Sequence, residues 1–219
     1  MKRLIKRKRE KSKLEIIIYN HIMNNKRTYI IATLLFFVGL IIGIMFINNM
    51  EQIKFTEINS YIKSLVYSLK NIEKIDYSSL FKESIISNTT LVIIIWIASS
   101  TIIGIPIVYA TIAFRGFALG YTISSIIAVL GPGNGILFIL STLLLHNIIF
   151  IPVLLATSVS GMKLYKSIMK NRERENIKIE FLRHTIFCAI MLVLLLISSF
   201  TEVYISTNLS KFFANYINF

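Results

Sequence analysis

Charge is what this sequence lacks over its longest stretches. Four runs contain no Asp, Glu, Lys or Arg: residues 28–50, 84–114, 116–162 and 184–201. The runs are continuously apolar rather than alternating, which excludes the strands of a β-barrel. A helix needs about 20 apolar residues to cross the hydrocarbon core of a bilayer, where unpaired backbone groups find no water. The sequence therefore predicts an all-α integral membrane protein.

Residues that could carry chemistry are also scarce. The one cysteine, Cys188, lies inside an apolar run, so the chain has no disulfide framework and no Cys-x-x-Cys metal site. The charge-free runs hold no acidic residue, whereas ion-coupled pumps normally keep one in the membrane. Zinc-protease, P-loop and nucleophile-elbow motifs are missing from the sequence. We therefore expect no catalytic residue, no metal, no cofactor and no enzyme activity.

The runs and their breaks predict a bundle of five spans. Residues 116–162 are too long for one crossing, and the glycine-rich stretch that begins at Gly131 and Pro132 is the credible place to turn. Pro106 is expected to kink the second span. A single membrane domain, 28–219, thus follows a basic segment, 1–27. Its predicted spans cover residues 28–48, 88–113, 115–130, 136–160 and 184–204.

Lysine and arginine predict the orientation. Ten of them precede Thr28 and seven lie in the loop 163–183, whereas the tail after the last span has only Lys211. Because cytoplasmic loops carry the excess of positive charge, we expect the N-terminus inside and the C-terminus outside. The short third segment could instead be re-entrant, but that would place the basic loop 163–183 outside.

Two amphipathic helices are predicted beside the spans. In the outer loop 49–83, apolar residues recur at steps of three or four: Ile58, Ile62, Leu65 and Leu69. This helix either packs on the membrane or the bundle, or docks a partner. Near the N-terminus, an apolar face behind the basic cluster is typical of an interfacial helix on anionic lipid: Leu14, Ile17, Ile18 and Ile22. Without interleaved aromatics, nucleic acid is not an expected partner.

Small residues predict close helix packing. Gly39 and Gly43 lie one turn apart in the first span, and Gly116, Gly120 and Ser124 recur every four residues in the third. Such faces let helix backbones approach closely. They serve either packing within the bundle or association of two copies into a homo-oligomer.

Polar residues near the spans are few. His146 and Asn147 are expected to form hydrogen bonds between helices, with a channel or relay role as the alternative. Pro152 would free a backbone carbonyl nearby. Arg115 is expected at the inner interface, because a position deep in the bilayer would cost about 2.5–3.5 kcal/mol or more.

Three parts of the sequence resemble the stage II sporulation protein M family. They are the stretch 114–122 (FRGFALGYT), the Gly-Pro-Gly turn at 131–133, and Asn147 followed by Ile151 and Pro152. The resemblance extends to the length, the basic N-terminus, the outer loop and the number of spans. It departs at Leu145 and His146, where members often have a proline shortly before the asparagine.

This resemblance implies a function that composition cannot show. Such proteins are non-enzymatic scaffolds in the mother-cell septal membrane, required for engulfment in endospore-forming bacteria. They recruit two peptidoglycan-degrading partners, stage II sporulation proteins D and P, for which we expect contacts on residues 55–77 and on the small-residue grooves within the membrane. One alternative is a transporter subunit with a polar cavity at Thr142, His146 and Asn147. Another is an intramembrane protease, which would need a second titratable residue beside His146.

Overall fold

The computed structural model describes residues 13–71, 75–101, 103–170 and 174–217, and all regular structure within them is helical. The predicted basic residues 1–12 and the side chains of Leu14, Ile17 and Ile18 lie outside what is described. Two π-helical segments, Leu140–Leu144 and Thr201–Ser206, follow α5 and α7. The α-helices are α1 (Lys13–Asn24), α2 (Lys26–Asn48), α3 (Gln52–Asn71), α4 (Tyr77–Ser99), α5 (Gly104–Ile139), α6 (Leu145–Lys170), α7 (Arg174–Phe200) and α8 (Thr207–Ala214).

Four helical stretches of the described chain have the length and composition to cross a membrane: Lys26–Asn48, Tyr77–Ser99, Gly104–Met169 and Ile177–Ala214. The third is 66 residues long because it includes a reversal at Gly131. There φ is 77° and ψ is 165°, a conformation that favours glycine. A Cβ on Gly135 would lie 2.9 Å from the Ile127 Cα, so the chain packs back on itself. The predicted turn is confirmed.

The boundary predicted between the second and third spans is wrong. We expected spans at 88–113 and 115–130, with a turn marked by Arg115. Instead α4 ends at Ser99 and α5 begins at Gly104, so Arg115 lies eleven residues inside a continuous helix. The first arm of α5, 104–130, is therefore long enough for a full crossing, and the short third segment does not exist.

Glycine allows the tight turn between α4 and α5. A Cβ on Gly104 would lie 1.8 Å from the Ala98 carbonyl oxygen, so no larger residue fits without movement of the backbone. Pro106 then lies in the first turn of α5, where its missing N–H removes no helical hydrogen bond. The predicted kink inside one long helix is thus replaced by a break between two helices.

The glycine faces of α2 and α5 pack against each other. A Cβ on Gly39 would lie 2.1 Å from the Ala113 carbonyl oxygen, and one on Gly116 would lie 2.1 Å from that of Phe36. One turn further along both helices, Gly43 and Gly120 make equally close approaches, and Ser124 continues the buried stripe. The contacts advance in the same direction, so α2 and the first arm of α5 are parallel. These faces therefore serve packing within one chain.

The amphipathic helix α3 packs on the end of the bundle. Ile62 is 7% exposed and lies with Val66, Leu130 and Phe138 in one buried apolar cluster. Three further residues of the predicted apolar face pack around this cluster: Ile58, Leu65 and Leu69. The packing alternative for this helix is confirmed. A charged residue at Ile62 or Leu69 would consequently destabilise the packing of α3 on the bundle, so its effect on partner binding could not be separated from its effect on folding.

Side-chain contacts fix α4 and α7 as antiparallel neighbours. Asn88 donates to the Ser199 hydroxyl at 2.9 Å, and further along α4 the Trp96 indole donates to Thr185 at 3.1 Å. Residue numbers on α7 thus decrease along the interface as those on α4 increase, so the two helices are antiparallel. We call the end of the bundle covered by α3 and α8 the α3 end, and the opposite end the α1 end.

The α1 end is where helix α1 meets the bundle. The His21 ring stacks on Phe187 with centroids 5.0 Å apart, and its Nδ1 lies 3.1 Å from the Tyr29 hydroxyl. Burial, and secondarily the charge of Lys163, lower the pKa of His21. Lys163 also pairs with Glu180 at 3.3 Å. Lys166 in turn donates to the Thr28 hydroxyl at 3.2 Å, so the described parts of the two predicted basic bands lie at this end.

Candidate functional site

A cluster of charged and polar residues lies in the middle of the bundle. Arg115 from α5, His146 and Asn147 from α6, and Glu202 from the π-helical segment after α7 line one cavity of about 130 Å³. Arg115 stands eleven residues along the first arm of α5, about 16 Å from its start. The prediction that placed Arg115 at the end of a span is therefore wrong.

Glu202 connects α7 to α4 and α6. One of its carboxylate oxygens accepts a hydrogen bond from the Ser84 hydroxyl at 2.5 Å and lies 3.5 Å from His146 Nδ1. One turn away on α4, the Asn88 amide approaches Ser84 at 3.4 Å as well as Ser199. Directional bonds of this kind fix the register of helices whose apolar surfaces would otherwise slide.

The His146 ring is buried and held from two sides. Its Nδ1 lies 2.8 Å from the Ser198 hydroxyl, which also donates to the His146 carbonyl at 3.2 Å. The ring stacks on Phe150 with centroids 5.1 Å apart. Glu202 is the second titratable residue that a protease at this position would need. However, Ser198 and Glu202 approach the same ring nitrogen, whereas a Ser-His-acid relay needs them on opposite nitrogens.

The Arg115 guanidinium lies over the Phe150 ring, on which His146 also stacks. Its Cζ is 4.3 Å from the centroid of the Phe150 ring, within the range of a cation–π interaction. Among the described residues, neither a hydrogen bond nor an ion pair to this guanidinium is found. Glu202 is the opposite charge that lines the same cavity. The charges of Arg115 and Glu202 therefore balance each other across the cavity and not through a direct ion pair.

Both π-helical segments occur at this cluster. Leu140–Leu144 ends two residues before His146, and Thr201–Ser206 contains Glu202. The Asn147 amide donates to the Leu143 carbonyl at 2.8 Å, at the junction between π- and α-helix. Single π-helical turns inside α-helices are rare overall, and those that occur are often found at functional sites. Their position here marks the cluster as more than a packing detail.

The structure brings only part of the predicted site together. Arg115, His146 and Asn147 meet at the cavity, but Pro152 is exposed and lines an apolar groove beside His21 and Phe187. Thr142, expected in the cavity, donates to the Phe138 carbonyl, and Thr122 lines the cavity instead. The remaining predicted residues belong to the glycine interface, the Gly-Pro turn or the buried face of α3.

Sequence reasoning missed Glu202 and its partners on α4. The charge-free run ends at residue 201, so Glu202 was not considered among the polar residues of the spans. The predicted span 184–204 nevertheless contains it, and that was the available signal. Ser84 and Asn88 gave none, because single hydroxyl and amide groups are ordinary in an apolar helix.

A second buried histidine lies near the α1 end. His184 Nδ1 is 3.0 Å from the Ser160 hydroxyl, and its Nε2 is 3.5 Å from the Cys188 sulfur. A Cβ on the adjacent Gly161 would lie 1.9 Å from the Ser99 hydroxyl, so α4 and α6 are closely packed here. These contacts describe a tightly packed polar joint between helices.

Together, the long apolar helices and the polar cluster buried between them define a helical membrane protein. The sequence model of the family described as Stage II sporulation protein M matches residues 32–207, which include the whole cluster. The chain belongs to this family, as its resemblance predicted. It is also similar to an uncharacterised protein of Methanocaldococcus jannaschii, with 28% identity over 191 residues that cover 84% of this chain and 96% of that protein. No solved structure matches the chain.

Proposed function

We propose that this protein is a non-enzymatic scaffold for engulfment during sporulation, in the septal membrane of the mother cell. It crosses this membrane five times, through α2, α4, the first arm of α5, the second arm with α6, and α7. Its family membership suggests a sporulation-related membrane protein and supports the setting. The parallel α2 and α5 and the antiparallel α4 and α7 support the number of crossings. The two basic bands support an inner α1 end and an outer α3 end.

The partners in this proposal are stage II sporulation proteins D and P, held at the outer surface where peptidoglycan lies. The packing of α3 on the end of the bundle is the observation that supports this docking proposal. One face of the helix is buried in the bundle, which leaves its opposite face available and rigid. Ile53 and Tyr67, which are 77% and 69% exposed, lie on that face. Tyr61, which is 67% exposed, lies at its edge, beside the groove that it lines with Ile58 and Leu65. Tyrosine is among the residues enriched in the centres of protein interfaces.

We therefore predict that aspartate at Tyr61 and Tyr67 together releases the partners. Tagged protein purified from sporulating cells should then bring down about thirty-fold less of at least one partner, since losing an interface anchor costs about 2 kcal/mol and each 1.4 kcal/mol is about a factor of ten. Quantitative mass spectrometry of the co-purified proteins measures this. Tyr216→Asp is the matched control, because Tyr216 is 68% exposed and lies off α3.

The amount of each variant in the membrane must equal that of the unchanged protein, which separates lost binding from lost folding. If the Tyr61 and Tyr67 variant retained both partners as fully as the Tyr216 variant, α3 would not be the docking surface. If no peptidoglycan-degrading protein accompanied the unchanged protein, the scaffold proposal itself would be wrong.

A subunit of a transporter is the second candidate, because a polar cavity does lie at His146 and Asn147. Transport requires this cavity to continue to the α1 end. The residues between them are tightly packed and apolar, with Ile112, Phe150 and Leu154 all buried in one cluster. This packing supports the scaffold over the transporter.

A further inference from the structure

We propose that a water-filled vestibule opens at the α3 end, between α4 and the π-helical segment that follows α7, and that it ends at Arg115 and His146 in the middle of the bundle. The ligand of this site is water, and the vestibule is closed toward the α1 end. This goes beyond the scaffold function. It rests on the proposed topology only for the statement that the α3 end faces outward.

Two cavities form the vestibule, and Glu202 lines both. The outer one has a volume of about 300 Å³ and is lined by Glu83, Ser84, Ser87 and Thr207 among others. The inner one, of about 130 Å³, is the cavity at Arg115 and His146. The Ser84 hydroxyl reaches the Glu202 carboxylate from the outer side, and His146 reaches it from the inner side. A small movement of one side chain would therefore join the two volumes.

The size and lining of the inner cavity favour water. A cavity of about 130 Å³ has room for several water molecules, and internal cavities fill when two to four polar partners are available to each. Arg115 donates hydrogen bonds and Glu202 accepts them, so a chain of water can bridge the two charges. Without such a bridge, the guanidinium would make no hydrogen bond to any of the described residues, at a cost that proteins avoid.

Charge balance disfavours an ion as the occupant. The formal charges of Arg115 and Glu202 cancel, so an added anion or cation would leave one uncompensated charge inside an apolar bundle. A neutral, hydrogen-bonding molecule creates no such imbalance. Water therefore fits both the polarity and the neutrality of the cavity.

The inner end of the vestibule is closed by aromatic and aliphatic packing. Phe150 is buried and contacts both the His146 ring and the Arg115 guanidinium. Beyond it, Ile112 and Leu154 belong to the same buried cluster. Water that reaches Arg115 from the α3 end therefore meets this apolar layer before any of the polar groups nearer the α1 end, such as Thr157 and Ser158.

Cysteine labelling with a membrane-impermeant maleimide tests this inference. Cys188→Ser first removes the one native thiol, and single cysteines then replace Ser87, which lines the outer cavity, and Ala118, which lines the inner one. Ile86 and Phe114 serve as matched controls on the same two helices, because they are exposed on the bundle surface but line neither cavity. Tyr67→Cys on α3 reports which side of the membrane the α3 end occupies.

In intact cells, we expect Ser87→Cys and Ala118→Cys to react at least ten-fold faster than Ile86→Cys and Phe114→Cys. In inside-out vesicles, both vestibule positions should stay unlabelled. The inference would be overturned if Ala118→Cys reacted no faster than Phe114→Cys, or if it reacted equally from both sides. Tyr67→Cys labelled only in inside-out vesicles would instead refute the proposed topology. Partner recovery by the same variants reports on the scaffold function separately.

Discussion

Replacing Gly116 by alanine is expected to push α2 and α5 apart and to destabilise the fold by about 1–3 kcal/mol, the usual cost of forcing an extra carbon into a packed interface. The new Cβ would lie 2.1 Å from the Phe36 carbonyl oxygen. The obstacle is backbone, so no side chain can rotate away to make room. The strain must be relieved by moving a whole helix.

Gly133→Ala is the matched control, because a Cβ there meets nothing within 4 Å. Alanine is also the better helix former, so this variant should be neutral or slightly more stable. Unfolding of the detergent-solubilised protein measures both, with the single tryptophan, Trp96, as the fluorescent probe. Equal stability of the Gly116 and Gly133 variants would show that the helices are not held at this distance.

A double variant sharpens the test. Gly39 meets the Ala113 carbonyl across the same interface, so once one alanine has separated the helices the second has less left to displace. The double variant should therefore lose less stability than the sum of the losses of Gly39→Ala and Gly116→Ala, as expected for residues that share one contact surface. Full additivity would imply two independent sites of strain.

The features predictable from the sequence are those with local causes. Gly131 and Pro132 predict a turn, because glycine permits the positive φ that the turn requires and proline cannot continue a preceding helix. The glycine faces of α2 and α5 follow from a four-residue period, and the buried face of α3 follows from steps of three and four. Each of these patterns is confined to one element, so neither the partner element nor the three-dimensional fold is needed to see it.

The break between α4 and α5 was missed because hydropathy cannot locate a turn inside a continuously apolar run. Arg115 was the nearest charge and was taken as the marker of the turn. The residues that make the turn, Gly104 and Pro106, lie ten residues earlier. A glycine two residues before a proline was the better local signal, because a charge inside a membrane helix is tolerated when a distant partner balances it.

That partner could not be predicted locally. Glu202 is 87 positions away from Arg115 in the sequence, and it reaches the cavity only because α4, α6 and α7 pack in one particular register. His146 and Asn147 were recognised as unusual, but their neighbours belong to other helices. For a buried polar cluster, one sequence can identify members while leaving their association unseen.

Glu202→Gln is expected to cost about 1–2 kcal/mol of stability, less than the roughly 3–5 kcal/mol of a fully buried charge pair, because 42% of the Glu202 side chain is exposed. Glutamine keeps the shape of the side chain and can still accept the hydrogen bond from Ser84. The change therefore removes the negative charge and leaves Arg115 without a counter-charge inside the bundle. Glu51→Gln is the control, because that exposed carboxylate is only 3.9 Å from Lys54 at the surface and such pairs contribute about 0–1 kcal/mol.

The distinctive prediction concerns the double variant with Arg115→Gln. Removing both charges abolishes the imbalance, so the double variant should be more stable than Glu202→Gln alone, by about 0.5–1 kcal/mol. Arg115→Gln by itself should cost less than Glu202→Gln, because the remaining carboxylate keeps Ser84 and His146 as partners. Unfolding free energies in detergent measure all three variants. If the double variant lost as much stability as the two single variants together, Arg115 and Glu202 would not interact across the cavity.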